Sequence, residues 1–255
     1  MAEKFIEGRV VGRTDYTESL FALRFSAAIA PFEAGQFLRV GTHVVRDGAA
    51  VPELRPYSLV NAPDDDALEI VLTVVPEAAG GVVSPALHRM RAGDTVLVGP
   101  RANGFFTLAE VPSAPTLWAL ASGTGLGPFL SILATDRAWQ QFDHVVLVHA
   151  VRHAAELTYR ERIAALGQRY GERFRYLPVV SREPHSEALP GRIPALITSG
   201  KLEARAGLPL TPATSHVMIC GNPDMLRDAT AVLEARGLTK HRPRKPGQIT
   251  TEAYW

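Results

Sequence analysis

Sulfur chemistry has almost nothing to work with in this chain, whose 255 residues include a single cysteine, Cys220. One thiol cannot close an intrachain disulfide, and it falls short of the thiolate sets that hold an iron–sulfur cluster or a structural zinc ion, so no metal site is expected. Long apolar runs are missing too. Those present, such as residues 117–121 and 145–148, are far shorter than the roughly 18 residues of a membrane span. Residues 1–10 carry Glu3, Lys4, Glu7 and Arg9 around no apolar stretch, so no secretory signal is expected there and the cytoplasm is the expected location. No internal repeat or low-complexity segment occurs. Net charge is close to nil, with 27 Lys+Arg against 26 Asp+Glu, but it is unevenly spread. Residues 1–110 hold 10 basic and 14 acidic side chains, whereas residues 111–255 hold 17 and 12. The second half suits an anionic ligand. That ligand is not expected to be nucleic acid, because no stretch interleaves Lys or Arg with aromatics as a binding stripe would. What the chain does have is a 46% hydrophobic composition, enough for one core or two modest domains.

The hydrophobic pattern changes partway along. Short spans at residues 9–13, 20–25, 36–41, 56–61, 68–75 and 95–99 alternate apolar and polar positions, separated by turn signals such as Gly35, Asp47-Gly48, Pro63-Asp64 and Gly93-Asp94. Several short strands at this spacing predict an antiparallel barrel or sandwich. One helix is expected to interrupt them, with Ser84 as N-cap and Pro85 in its first turn. From about residue 112 the order becomes strand, glycine-rich loop, helix. Strands are expected at residues 116–121, 144–151, 173–180 and 215–220, and helices at 129–134, 154–166, 194–199 and 223–236. That alternation predicts a parallel sheet covered on both faces. The prolines and serine of residues 108–115 mark the expected boundary, giving domains of residues 1–110 and 111–255.

Parallel sheets bind ligands beyond the carboxyl ends of their strands, where loops and helix starts present free N–H groups. The loop Ser122-Gly123-Thr124-Gly125-Leu126-Gly127-Pro128 is so placed. Its glycines would let the backbone approach a pyrophosphate, or would simply make a tight strand-to-helix turn. The next strand ends in Val151-Arg152 rather than in the acidic residue that binds the ribose hydroxyls of NAD. The third ends in Ser181-Arg182, and Gly191-Arg192 follows. Guanidinium groups at three loop positions could surround a 2′-phosphate, pointing to NADP, although any one of them is equally at home as a plain surface residue. In the first half, Arg55-Pro56-Tyr57-Ser58 offers a second constellation. The arginine can neutralise a phosphate, the tyrosine two residues on shares its side of the strand and can lie against a flat heterocycle, and the serine can hydrogen-bond a ring nitrogen. Each is also an ordinary residue for a half-buried strand.

Taken in order, Arg-Pro-Tyr-Ser at 55–58, Gly-Val-Val-Ser at 81–84, Gly-Thr-Gly-Leu-Gly-Pro at 123–128, His-Ala-Val-Arg at 149–152, Cys-Gly-Asn-Pro-Asp-Met at 220–225 and the ending Glu-Ala-Tyr-Trp resemble the ferredoxin–NADP reductase superfamily, in particular its bacterial ferredoxin/flavodoxin–NADP reductases. The resemblance implies a six-stranded antiparallel FAD barrel followed by an α/β NADP domain, and an oxidoreductase passing electrons between NADPH and ferredoxin or flavodoxin as a cytoplasmic monomer. It implies that Arg55, Pro56, Tyr57 and Ser58 meet the FAD, with the serine near flavin N5, that Thr73 and Val74 line the flavin through backbone atoms, and that Ser84 caps a helix facing its pyrophosphate. Thr124 would approach the NADP pyrophosphate, and Val151, Arg152, Ser181, Arg182 and Arg192 would surround the adenosine phosphates. Cys220, Gly221, Asn222, Pro223 and Asp224 would pass beside the nicotinamide. Glu252 would help to position the flavin, Tyr254 would cover its face and Trp255 would stack on the FAD adenine. The catalytic set is then Ser58, Cys220, Glu252 and Tyr254. Proline at position 56 removes a backbone donor there. A reductase feeding an oxygenase and a non-enzymatic flavin-binding redox sensor are the rival readings.

Overall fold

The computed structural model describes residues 5–46, 48–109 and 111–253. They form two compact units: the chain up to Thr107 together with Leu130–Ala134, and Leu108–Phe129 together with the chain from Thr135 onward.

The first unit is built on strands β1 (Ile6–Asp15), β2 (Leu20–Ser26), β3 (Phe37–Arg46), β4 (Ala49–Ser58), β5 (Leu68–Thr73) and β6 (Thr95–Val98). They pair antiparallel in the order β4-β3-β6-β1-β2-β5. The two ends of this order meet: Leu59 bridges Ile70, and the Val60 N–H donates to the Glu69 carbonyl at 2.9 Å. The sheet therefore closes on itself as a barrel through the residues that follow β4, while β4 itself is paired in the sheet order only with β3. Alternation fills the interior. Phe21, Leu23 and Phe25 from β2, Leu38 and Val40 from β3, Leu68, Ile70 and Leu72 from β5, and Val96 and Val98 from β6 form one core cluster. Helix α1 (Val83–Arg89) adds Val83 and Leu87 to the same cluster.

The β3–β4 hairpin is longer than its sequence suggested. Pairing runs from Phe37↔Ser58 to Arg46↔Ala49 and takes in both Pro52 and Pro56. Both prolines are tolerated because β4 ends the hydrogen-bonded order, leaving its outer N–H row without a ladder to supply.

The second unit runs β7 (Thr116–Ser122), α2 (Gly127–Leu133), α3 (Asp136–Gln141), β8 (His144–Val151), α4 (Arg160–Tyr170), β9 (Phe174–Val180), β10 (Leu189–Pro190), α5 (Ile193–Thr198), α6 (Lys201–Ala206), β11 (Ser215–Gly221), α7 (Pro223–Ala235) and β12 (Ile249–Ala253). The sheet order is β10-β9-β8-β7-β11-β12, every pair parallel. The chain builds outward from β7 through β8, β9 and β10, then returns to the other side of β7 for β11 and β12. The strand order thus reverses between β7 and β11, which makes their carboxyl ends the topological switch point.

One local expectation is corrected and four elements are added. The helix expected over residues 154–166 starts later, because a 3₁₀ turn at Ala154–Glu156 comes first and Tyr159, at φ +56°, interrupts the chain before α4. Helices α3 and α6 and strands β10 and β12 were not foreseen. The last of these matters for function, since β12 sets Glu252 beside Cys220 of β11.

Candidate functional site

In the first unit the Arg-Pro-Tyr-Ser motif occupies the last residues of β4. The period of the strand puts Arg55 and Tyr57 on one face and Pro56 and Ser58 on the other. Ser58 is buried, whereas Tyr57 is half-buried and packs against the rim of the barrel core, as does Val74 just beyond β5. Burial pushes the Tyr57 phenol up to about 12, with the Arg55 guanidinium opposing it, so the ring is neutral and its face apolar at physiological pH. Arg55 is held from behind: its Nη2 lies 2.5 Å from Glu53 Oε1, and Arg46 Nη2 lies 2.6 Å from the other oxygen of the same carboxylate. Glu53 itself is buried. Sequence reasoning missed this carboxylate, whose two-residue offset from Arg55 on the same strand was the available signal.

The Gly-Val-Val-Ser motif has a different local task from the one its sequence suggested. Ser84 does not cap α1; the helix begins at Val83, and the Ser84 hydroxyl accepts the Val75 N–H at 2.9 Å. A Cβ on Gly81 would collide with the Val75 carbonyl oxygen. Gly81 and Ser84 therefore clamp the backbone that follows Thr73 and Val74, and Val74 is further fixed by donating to the Ser19 carbonyl at 2.7 Å. Beside the half-buried Tyr57, this gives a rigid backbone shelf next to an aromatic face, with a cation on the same strand. Those features fit a flat, anionic cofactor.

In the second unit the switch point is tightly built. Gly123 adopts φ +54°, and nothing lies within 4 Å of where its Cβ would stand. At Gly125 a Cβ would collide with the Cys220 carbonyl, so this glycine is required by the close approach of the loop to the end of β11. Gly221, at φ +135°, is pressed against Ser122 in the same way, and the Asn222 N–H donates to Ser122 Oγ at 3.0 Å. Asn222 then caps α7, its Oδ1 accepting from the N–H groups of Asp224 at 2.9 Å and Met225 at 3.3 Å, with Pro223 in the first turn. The Asp224 carboxylate pairs with Arg227 at 2.6 Å. The Cys-Gly-Asn-Pro-Asp-Met motif is thus a strand end, a glycine turn and a helix cap. Cys220 is fully buried between Ala121 of β7 and half-buried Glu252 of β12. Tyr254 and Trp255 lie outside the described residues.

The three arginines also come together in consecutive loops. Beyond β8 and β9 the pairing continues: the Ser181 N–H donates to the Val151 carbonyl at 3.1 Å and the Arg182 N–H to the Arg152 carbonyl at 3.0 Å. Ser181 Oγ also donates to the Val151 carbonyl, at 3.1 Å. Glu156 accepts the Arg152 N–H at 2.9 Å, and Glu183 accepts the Ala154 N–H at 2.6 Å, lacing the two loops. The Ala154 N–H, and after it the His153 side chain, hold the Glu183 carboxyl below its usual range. Arg192 precedes α5, just after β10. All three guanidinium groups are exposed, and among the described residues none is engaged in an ion pair. Beneath them Val151, Leu157 and Val180 form a small apolar floor. Cations without anionic partners around such a floor fit an adenosine phosphate.

Comparison with known proteins places these features in a family. The family model described as an oxidoreductase NAD-binding domain matches residues 119–231. The flavodoxin/ferredoxin–NADP reductase of Shigella flexneri is 47% identical over 252 residues, covering 98% of this chain and 99% of that protein. Its counterpart in Escherichia coli is likewise 47% identical over the same shares of both chains. Among solved structures, a ferredoxin NADP+ reductase from Neisseria gonorrhoeae with bound FAD and NADP aligns with a TM-score of 0.89 at 34% identity, covering 99% of each chain.

Proposed function

This chain belongs to the flavodoxin/ferredoxin–NADP reductase family, and from that membership we propose that it is an FAD-dependent oxidoreductase moving electrons between NADPH and ferredoxin or flavodoxin. Bound FAD supplies the chemistry, since a flavin accepts two electrons as a hydride and releases them one at a time. The protein's own residues bind, orient and tune.

In this reading residues 1–110 hold the FAD. Arg55, steadied by Glu53, faces a phosphate; Tyr57 lays its ring along the flavin; and the Ser58 hydroxyl hydrogen-bonds flavin N5. Thr73 and Val74 line the flavin through backbone atoms held in place by Gly81 and Ser84. Residues 111–255 hold NADP(H). Thr124 meets its pyrophosphate, Val151 lies under the adenosine, and Arg152, Ser181, Arg182 and Arg192 take its phosphates. Residues 220–224 pass beside the nicotinamide, where the small Cys220 side chain leaves room for the ring, and Glu252 on the neighbouring strand helps to position the reacting ring. Tyr254 covers the flavin and Trp255 stacks on the FAD adenine.

The observation that carries the coenzyme choice is the row of three arginines on the loops after β8, β9 and β10, without ion-pair partners among the described residues. The carrier is read from charge. Residues 241–245 form a tight turn, with Arg242 and Lys245 exchanging backbone hydrogen bonds at 3.0 and 2.9 Å, and expose Arg242, Arg244 and Lys245. Such a turn suits an acidic electron carrier. We place the enzyme in the cytoplasm as a monomer; among the described residues no helix is long and apolar enough to cross a membrane. The test is direct: the purified protein should reduce flavodoxin or ferredoxin with NADPH, and that rate should fall with rising salt while reduction of a small neutral acceptor does not. A carrier rate insensitive to salt would rule out the basic turn as the docking surface.

A further inference from the structure

His149 takes no part in the roles given above, yet it lies at the centre of the second unit. It sits near the carboxyl end of β8, flanked by Ala121 of β7 and Pro178 of β9, and is wholly buried. Its Nε2 is 3.2 Å from the Gly123 carbonyl oxygen. A carbonyl can only accept, so Nε2 carries the hydrogen and Nδ1 is bare. Among the described residues that bare nitrogen has no hydrogen-bond partner. Burying a lone acceptor costs about 1 to 3 kcal/mol, and an apolar ring would fill the same place without that cost, so the benefit of an imidazole here lies at Nε2. Burial also pushes the ring down to about 4, keeping it neutral.

The hydrogen bond determines where the next donor points. In a trans peptide the C=O of one residue and the N–H of the next face opposite ways. With the Gly123 carbonyl drawn in toward His149, the Thr124 N–H is turned away from it. Thr124 is the second residue of the 3₁₀ turn Gly123–Leu126, so its N–H has no acceptor within that turn. Gly123 adds no side chain, and the space where its Cβ would stand is open.

We propose that His149 is a positioning residue, which holds the Gly123–Thr124 peptide so that its N–H is presented to the pyrophosphate of the coenzyme. This rests on the NADP(H) reading of the second unit, and the test separates the two. Titrations on the FAD-loaded full chain would use NADP+, which carries a pyrophosphate, and 2′-AMP, which carries only the 2′-phosphate. His149→Phe should weaken NADP+ about tenfold, the worth of one lost hydrogen bond to a charged group, and leave 2′-AMP and the flavin spectrum unchanged. His149→Gln, whose amide can donate from nearly the same point, should stay within about twofold of the wild type. In the wild type, whatever the fate of the variants, the 15N shifts of His149 should report a neutral ring with hydrogen on Nε2, and the Nε2 signal should move when NADP+ is added. NADP+ affinity unchanged in His149→Phe, equal losses for NADP+ and 2′-AMP, a glutamine variant as weak as the phenylalanine one, or hydrogen found on Nδ1 would each overturn the proposal. Wild-type protein binding neither ligand would overturn the coenzyme reading and this proposal with it.

Discussion

At the scale of single residues, charge placement does most to set specificity. Arg152 and Arg182 are joined through their backbones while their guanidinium groups are exposed and, among the described residues, without anionic partners, so removing one should subtract the proposed phosphate contact and little else. Arg182→Ala is expected to raise the KM for NADPH about tenfold or more while leaving that for NADH within about twofold, since a charge-assisted bond contributes roughly 1.5 to 3 kcal/mol. Steady-state rates with ferricyanide would measure this. Glu53 is the opposite case, an anion enclosed by two cations. Glu53→Gln would leave Arg46 and Arg55 facing each other across a neutral amide. Because both arginines are more than half exposed, solvent screens much of the repulsion, and the expected cost is about 1 kcal/mol, seen as a lower thermal midpoint and earlier flavin release. These two groups differ in how easily they could be read beforehand. The arginines follow recognisable strands, so their loop positions were legible in the sequence. Glu53 stands two residues before Arg55 on one strand, a pairing the sequence offered, but its second partner, Arg46, became visible only with the β3–β4 hairpin because it lies on the other strand.

At the scale of elements, the switch point depends on backbone packing that only glycine permits. Gly125→Ala would drive a methyl group into the Cys220 carbonyl and force the loop away from the end of β11. The expected result is a loss of about 1 to 3 kcal/mol, the usual range for overpacking, together with weaker NADP+ binding, measured by urea unfolding and by titration. Asn222→Ala tests the neighbouring helix alone: it removes the α7 cap and should cost about 1 kcal/mol with the flavin spectrum unaltered. Local patterns made part of this readable, since the glycine-rich loop after β7, the helix from Pro223 and the alternation of strands and helices are each marked by residues within a few positions. Three features were not readable. The expected helix over residues 154–166 is interrupted at Tyr159, the Ser84 hydroxyl goes to Val75 rather than to its own helix, and β12 exists because β11 offers it a ladder. The last two are decided by partners outside the element itself, Val75 for Ser84 and β11 for β12.

At the scale of the whole molecule, two buried histidines make stability depend on pH. His149 and His216 are both pushed down from 6.5 to about 4, chiefly by burial, with His241 adding to the effect at His216. Both rings remain neutral in the folded protein while the unfolded chain takes up protons as pH falls below about 6.5, so stability is full above that value and is lost progressively toward pH 4. The two together should remove several kcal/mol, at most about 3 each. His216→Gln should flatten part of that slope in unfolding curves recorded between pH 7 and 4.5, whereas an unchanged slope would place the proton uptake elsewhere. The claim on which the account turns is that the first unit carries a flavin and the second passes it electrons from NADPH in preference to NADH. Anaerobic titration of the purified protein, followed in the visible spectrum, tests this most directly. The account predicts a yellow protein whose flavin absorbance bleaches with one equivalent of NADPH and far less readily with NADH. A protein that stays colourless after incubation with FAD, or one that both coenzymes reduce equally well, would contradict it.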